Sequence, residues 1–131
     1  MSSRRSLPLL VTTLVVLAAR GAVVSALGDH PLLQPGDGLD TGAYVDLARR
    51  VAAGDVLLRV LPEPFFVSPL YVWFLGAVLA VTGGSLKAAL ALQAVLGALA
   101  AWLAGDAARR LYGDRAAVPA AALLGLTGVV A

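Results

Sequence analysis

Apolar and polar residues alternate along this chain in blocks rather than residue by residue, and the apolar blocks are too long for strands. The first block, 7–27, holds Arg20 as its single charged residue and is close to the roughly 20 residues a helix needs to cross a bilayer. With Arg4 and Arg5 just before it, it is predicted to be a first membrane helix with its basic flank on the cytoplasmic side. Two processing signals compete with that reading. Ser3-Arg4-Arg5-Ser6-Leu7 is similar to a twin-arginine signal and Val24-Ser25-Ala26 to a small-residue cleavage site, whereas the further apolar blocks downstream favour a retained helix. Arg20 lies near the far end of the block, where a long side chain can reach the interface; the alternative is that it faces the protein interior and pairs with a carboxylate or a phosphate.

From 28 to 64 the chain is polar and opens with Gly28, Pro31, Pro35, Gly36 and Gly38, which break regular structure. A helix is predicted next, over 41–53. Asp40 is placed as its N-cap, Tyr44, Leu47, Ala48 and Val51 recur at helical spacing, and Gly54 is the expected stop. Its opposite face carries Asp46, Arg49 and Arg50. A segment this short and charged cannot span a membrane but suits an amphipathic helix lying in the interface, its arginines either solvated or near lipid headgroups.

A second span is predicted over 65–81, with Tyr71, Trp73 and Phe74 as an aromatic belt and Pro69 in the first turn, where proline is tolerated. After the break Thr82-Gly83-Gly84-Ser85 comes a third span over 86–104, with Lys87 at its start and Gln93 inside as a helix-to-helix contact. Gly97, Ala98, Ala101 and Gly105 are the small residues that close helix packing requires. Residues 106–115 form an expected charged connection, and a last apolar run from Ala116 to Ala131 is roughly 16 residues, short of a full crossing. The expected fold class is therefore an all-α integral membrane bundle with about three full spans, a partial fourth and an interfacial helix, the front end of something longer. The arginine flank puts the N-terminus in the cytoplasm and loop 28–64 outside; Arg109, Arg110 and Arg115 then fall outside too, against the same rule.

Composition narrows the function classes. Sixty per cent of the 131 residues are hydrophobic and 14% charged, beyond the roughly 45–50% apolar content of soluble domains. A net charge of +2 with scattered basic residues argues against nucleic acid as a partner. Without cysteine there is no disulfide, thiolate site or cysteine nucleophile, and with His30 as the single histidine a metal cluster is not expected.

One order of features is specific. The first helix is followed by Asp40-x-x-x-Tyr44, by a helix ending in Gly54-Asp55, and then by Glu63-Pro64-Phe65-Phe66 and Pro69-Leu70-Tyr71 leading into the second span. This resembles the N-terminal part of GT-C glycosyltransferases, the glycosyltransferase family 39-like set that includes protein O-mannosyltransferases and aminoarabinose transferases. The resemblance implies transfer of a sugar from a polyprenyl-phosphate carrier to an acceptor at the outer membrane face. In those enzymes the first external loop carries an acidic motif, commonly Asp-Glu-x-x-Tyr, whose aspartate is catalytic, and Asp40 and Tyr44 match its first and last positions. Thr41 stands where the second carboxylate is usual, and Val67-Ser68-Pro69-Leu70 lacks the lysine that meets the carrier phosphate in related members. Arg20, Arg49 and Arg50 are then the candidates for that phosphate, with Tyr44, Glu63 and Tyr71 as further substrate-binding residues. No cofactor is implied with certainty, and a divalent metal is left open.

The implied chemistry is consistent with the residue types. An acceptor hydroxyl is a poor nucleophile, and a positioned carboxylate that takes its proton contributes about a hundredfold to ten-thousandfold. Cations stabilise the departing phosphate, commonly the larger effect. Asp40 as a mere helix cap is the simpler role, compatible with the catalytic one. As an isolated fragment the chain is expected to be inactive. A transporter or flippase fragment, or a structural membrane protein, is the rival; a transporter needs polar groups at mid-membrane in several helices, whereas here they gather in one loop.

Overall fold

The computed structural model describes residues 3–27, 40–59 and 67–127. All regular elements among them are helical: α1 (Ser3–Leu27), α2 (Asp40–Ala52), α3 (Pro69–Thr82), α4 (Leu86–Tyr112) and α5 (Ala117–Thr127), with a single 3₁₀ turn at Asp114–Ala116. The chain divides into two compact units, one of residues 1–26 and 91–131 and the other of residues 27–90. The expected breakers between Gly28 and Gly38, and Glu63-Pro64-Phe65-Phe66, lie outside the described residues.

In the unit of residues 27–90, α2 lies on α3. Val45 and Ala48 of α2 meet Leu75 and Leu79 of α3 and Ala89 of α4 in one buried cluster, and Leu47, Leu58 and Val72 form a second. The stripe expected on α2 is thus taken up by protein: Leu47 and Ala48 are buried, Tyr44 and Val51 half-buried. Gly76 makes this approach possible, since a Cβ there would lie 2.7 Å from Val51 Cγ1 and 3.0 Å from the Ala48 carbonyl oxygen. Pro69 occupies the start of α3, where its missing N–H and fixed φ cost nothing.

Both helices of this pair end at glycines. Gly54 has φ +104°; its N–H donates to the Val51 carbonyl and that of Asp55 to the Arg50 carbonyl, each at 3.0 Å, the paired bonds of a Schellman ending. Beyond it, residues 55–59 form a tight turn in which Leu58 adopts φ +48°. A leucine in the left-handed region costs roughly 1–2 kcal/mol. Complete burial of its side chain, 0% exposed, contributes roughly 1.5–3 kcal/mol and offsets that strain. Gly83, at φ +67°, ends α3, and Ser85 Oγ then accepts the Ala88 N–H at 3.2 Å to open α4, a capping bond of the expected kind.

In the other unit, small residues let three helices meet. Gly105 of α4 faces Leu9 of α1 and the Ala117 carbonyl and Ala121 of α5, and Gly125 of α5 faces Val16 of α1. Val16 also packs with Ala98 and Ala101 of α4 in a buried cluster. The small residues predicted to pack do so, as association without large side chains demands.

The described helices depart from the expected boundaries at two places. Only two described helices, at 7–26 and 86–112, are long and apolar enough to cross a membrane; α3, expected as a full span, has 14 residues, short of the roughly 20 required. The charged connection expected over 106–115 is helical as far as Tyr112. Asp106 pairs with Arg109 one turn on, and with Arg110 at 2.7 Å, favourable i to i+3 and i+4 contacts that a helix needs to form. The helix stops where Gly113 takes φ +90°. The last run is helical over Ala117–Thr127 among the described residues. Both long helices leave their apolar sides open: 11% of the most apolar window of the first and 28% of that of the second are buried, unlike the covered helix at the centre of a soluble protein.

Gly76 and Gly21 give opposite expectations for one substitution. Gly76→Ala should destabilise the fold by about 1–3 kcal/mol, because the new methyl meets the Ala48 backbone and a β-branched side chain. Gly21→Ala, with nothing within 4 Å, should stabilise α1 by roughly 0.5–1 kcal/mol. Reversible unfolding in mixed micelles checks both, and equal effects would show that Gly76 is not the contact point.

Candidate functional site

The two sequence signatures come together at one end of the α2–α3 pair. Asp40 is the first described residue of α2, and it is exposed. Its negative charge sits at the positive end of the helix, a placement typically worth 0.3–1 kcal/mol. One turn on, Tyr44 is half-buried against α3. Its ring meets that of Tyr71 edge to face with centroids 5.1 Å apart, and its hydroxyl oxygen accepts the Ser68 N–H at 3.3 Å. That amide directly precedes the Pro69-Leu70-Tyr71 start of α3, so Tyr44 ties the acidic motif to the second one. Tyr71 in turn stacks on Phe74, with centroids 6.1 Å apart.

Arg49 and Arg50 occupy the last turn of α2 and are exposed. Arg49 lies 3.6 Å from Asp46 across one turn, a solvated pair of small energetic worth. Cations also suit the negative end of a helix, so their position has a structural cause independent of any ligand. Among the described residues no group of three or more His, Cys, Asp or Glu could hold an ion. Glu63 lies outside the described residues.

Arg20 belongs to the other unit and does something the sequence did not reveal. Its guanidinium lies flat against Gly97 of α4, where a Cβ would come within 2.6 Å of Nη1 and 2.7 Å of Cζ. Nη2 donates to the Gly125 carbonyl of α5 at 3.1 Å. Nε is buried with no hydrogen-bond partner. A charge within a span costs about 2.5–3.5 kcal/mol at mid-membrane on insertion scales, and a hydrogen bond from a charged donor returns about 1.5–3 kcal/mol. The side chain therefore faces inward, as one of the two expected placements had it, and fits a helix-locking role through Gly97 and Gly125.

The sequence also left the turn after α2 undescribed. Arg59 N–H donates to Asp55 Oδ1 at 3.1 Å, and Trp73 Nε1 donates to the Val56 carbonyl at 3.0 Å, fixing residues 55–59 against α3. Gly54-Asp55 was the available signal: a helix-stopping glycine followed by an acid able to accept a backbone N–H.

No protein-family model, no characterised protein and no solved structure matches this chain. The class defined by the described residues is all-helical, with two helices among them long and apolar enough to cross a membrane.

A double-mutant cycle tests the Arg20 contact. Gly97→Ala should cost about 1 kcal/mol or more while Arg20 is present, because the methyl displaces the guanidinium from the Gly125 carbonyl. With Arg20→Ala in place it should instead stabilise α4 by roughly 0.5–1 kcal/mol, the ordinary gain of alanine over glycine in a helix. Additive effects in an unfolding titration would mean that the two residues do not touch.

Proposed function

We propose that this chain is the N-terminal part of a GT-C-type glycosyltransferase that takes a sugar from a polyprenyl-phosphate carrier and passes it to an acceptor, with loop 28–64 on the outer face of the membrane. The observation that carries the proposal is the junction of Tyr44 with Ser68 and Tyr71. Tyr44 of the acidic motif and Tyr71 at the entry of α3 meet there, with Asp40 exposed one helical turn before Tyr44. The open apolar sides of α1 and α4 suit a membrane-bound catalyst whose carrier is itself a lipid.

In this reading the Asp40 carboxylate takes the proton of the acceptor hydroxyl as its oxygen bonds to the anomeric carbon. The bond from that carbon to the carrier phosphate breaks, and the polyprenyl phosphate leaves with the electron pair. Tyr44 and Tyr71 offer the aromatic and hydroxyl surface on which a sugar can be held, while Arg49 or Arg50 would offset the charge of the departing phosphate.

Asp40→Asn separates the roles, since asparagine is as good as aspartate at a helix start. In membranes expressing the full coding region, sugar transfer from a polyprenyl-phosphate donor should fall by about a hundredfold or more at unchanged expression, the loss expected of a general base. Asp46→Asn, on the exposed polar face of α2, should stay near the parent rate. Undiminished transfer by the Asp40 variant would reduce Asp40 to a structural residue.

Sidedness is tested separately. The chain has no cysteine, so Asp46→Cys introduces a unique and exposed thiol. It should react with an impermeant maleimide in intact cells. Labelling only after lysis would overturn the outward placement of the loop.

A further inference from the structure

We infer that the turn after α2 is a membrane-docking element that inserts Val56 and Leu57 into the headgroup boundary of an anionic bilayer. In the sequence Asp55-Val56-Leu57-Leu58-Arg59 the three aliphatic residues do different things. Leu58 is driven inward and fully covered, at the expense of a left-handed backbone, while Val56 and Leu57 are left 52% and 55% exposed. Adjacent exposed aliphatic side chains on a solvated turn are unfavourable unless something covers them, and here the backbone is held so that they stay outside. The Schellman bonds at Gly54 and Asp55, the Asp55 carboxylate on Arg59 N–H and the Trp73 indole on the Val56 carbonyl all fix the same conformation.

The choice of lipid as the occupant rests on three observations. Trp73 is partly exposed and hydrogen-bonded at its polar edge, the arrangement that favours tryptophan at a membrane–water boundary. Leu70, 75% exposed, stands three residues before it on the same face of α3 and extends the apolar surface. Arg50 and Arg59, both exposed, bracket the turn in sequence, and their charge exceeds that of Asp55 between them. Aliphatic tips, an indole and flanking arginines match the apolar and anionic layers of a bilayer surface. The element is carried on a chain with two helices able to span, so docking is intramolecular in effect and needs little intrinsic affinity. This inference is independent of glycosyl transfer and would hold for any membrane protein with this turn.

The test uses Leu57→Cys in this cysteine-free 131-residue chain, labelled with an environment-sensitive fluorophore and reconstituted into vesicles of phosphatidylcholine with or without phosphatidylglycerol. In the anionic vesicles the label should emit at shorter wavelength, resist the neutral aqueous quencher acrylamide, and be quenched more by lipids with a nitroxide near the headgroup than by lipids with one deep in the chain. Arg50→Gln/Arg59→Gln should shift the equilibrium toward the undocked state by about thirtyfold, at about 1 kcal/mol per basic side chain near an anionic surface. Circular dichroism should show unchanged helix content, which separates loss of docking from loss of fold. Acrylamide quenching in the anionic vesicles as strong as that of the free label in water would overturn the inference, since the turn would then stay in water. Shielding from acrylamide without quenching by nitroxide lipid would overturn it as well, by showing that protein covers the turn.

Discussion

Everything proposed for the polar part of the chain depends on how closely α2 can approach α3, and that distance is set at Gly76. With no side chain there, Val51 and the Ala48 backbone come to rest directly on α3. The rest of α2 then follows as a rigid rod. Val45 and Ala48 reach Leu75 and Leu79, and Tyr44, near the start of the helix, reaches Tyr71 and the Ser68 amide. At the other end, the chain leaving α2 turns back so that Leu58 enters the cluster of Leu47 and Val72. A short amphipathic helix has little independent stability in water. It is the apolar face laid on α3 that makes α2 a platform able to present a carboxylate at its head and arginines at its tail.

Much of this architecture was legible in the residue pattern, and the reasons differ from element to element. Helix α2 was readable because Tyr44, Leu47, Ala48 and Val51 repeat at the helical period and Gly54 marks the stop. What covers that stripe was not readable, because periodicity identifies a buried face without naming its partner. Val45 shows the same limit: it lies off the expected stripe yet is buried, since α3 covers a wider arc of α2 than the four marked residues describe. The Asp40–Tyr44 spacing placed two side chains on one face of a helix. Their junction with Ser68 and Tyr71 depends on a contact between elements more than twenty residues apart in the chain, information that local pattern does not hold.

The lengths of the apolar helices were misjudged for a different reason. Hydropathy marks where apolar residues begin and end, whereas a helix continues as long as its backbone bonds and side-chain pairs are satisfied. In α4 the charges after Gly105 look like a boundary by composition. Asp106 nevertheless pairs with Arg109 and Arg110 along the helix, and the backbone ends only where glycine permits a left-handed turn. The apolar block around α3 errs in the opposite direction, because Pro69 at its first position sets a start that the surrounding hydrophobic residues conceal.

Arg20 and the turn after α2 show why charge and apolarity need their three-dimensional setting before either is given a role. By sequence, Arg20 is an anomaly within an apolar helix and Val56-Leu57 are unremarkable residues of a loop. In the structure the arginine is accounted for by a glycine that makes room for it and the Gly125 carbonyl, which accepts its hydrogen bond. The two aliphatic residues become the ones that require explanation, because a strained backbone and several hydrogen bonds hold them exposed. The same physical rule governs both: a group kept in an unfavourable environment by fixed neighbours must be compensated. For Arg20 the compensating partner lies within the protein. For Val56 and Leu57 the compensation has to come from outside it, and the indole and arginines around them match the surface of a membrane.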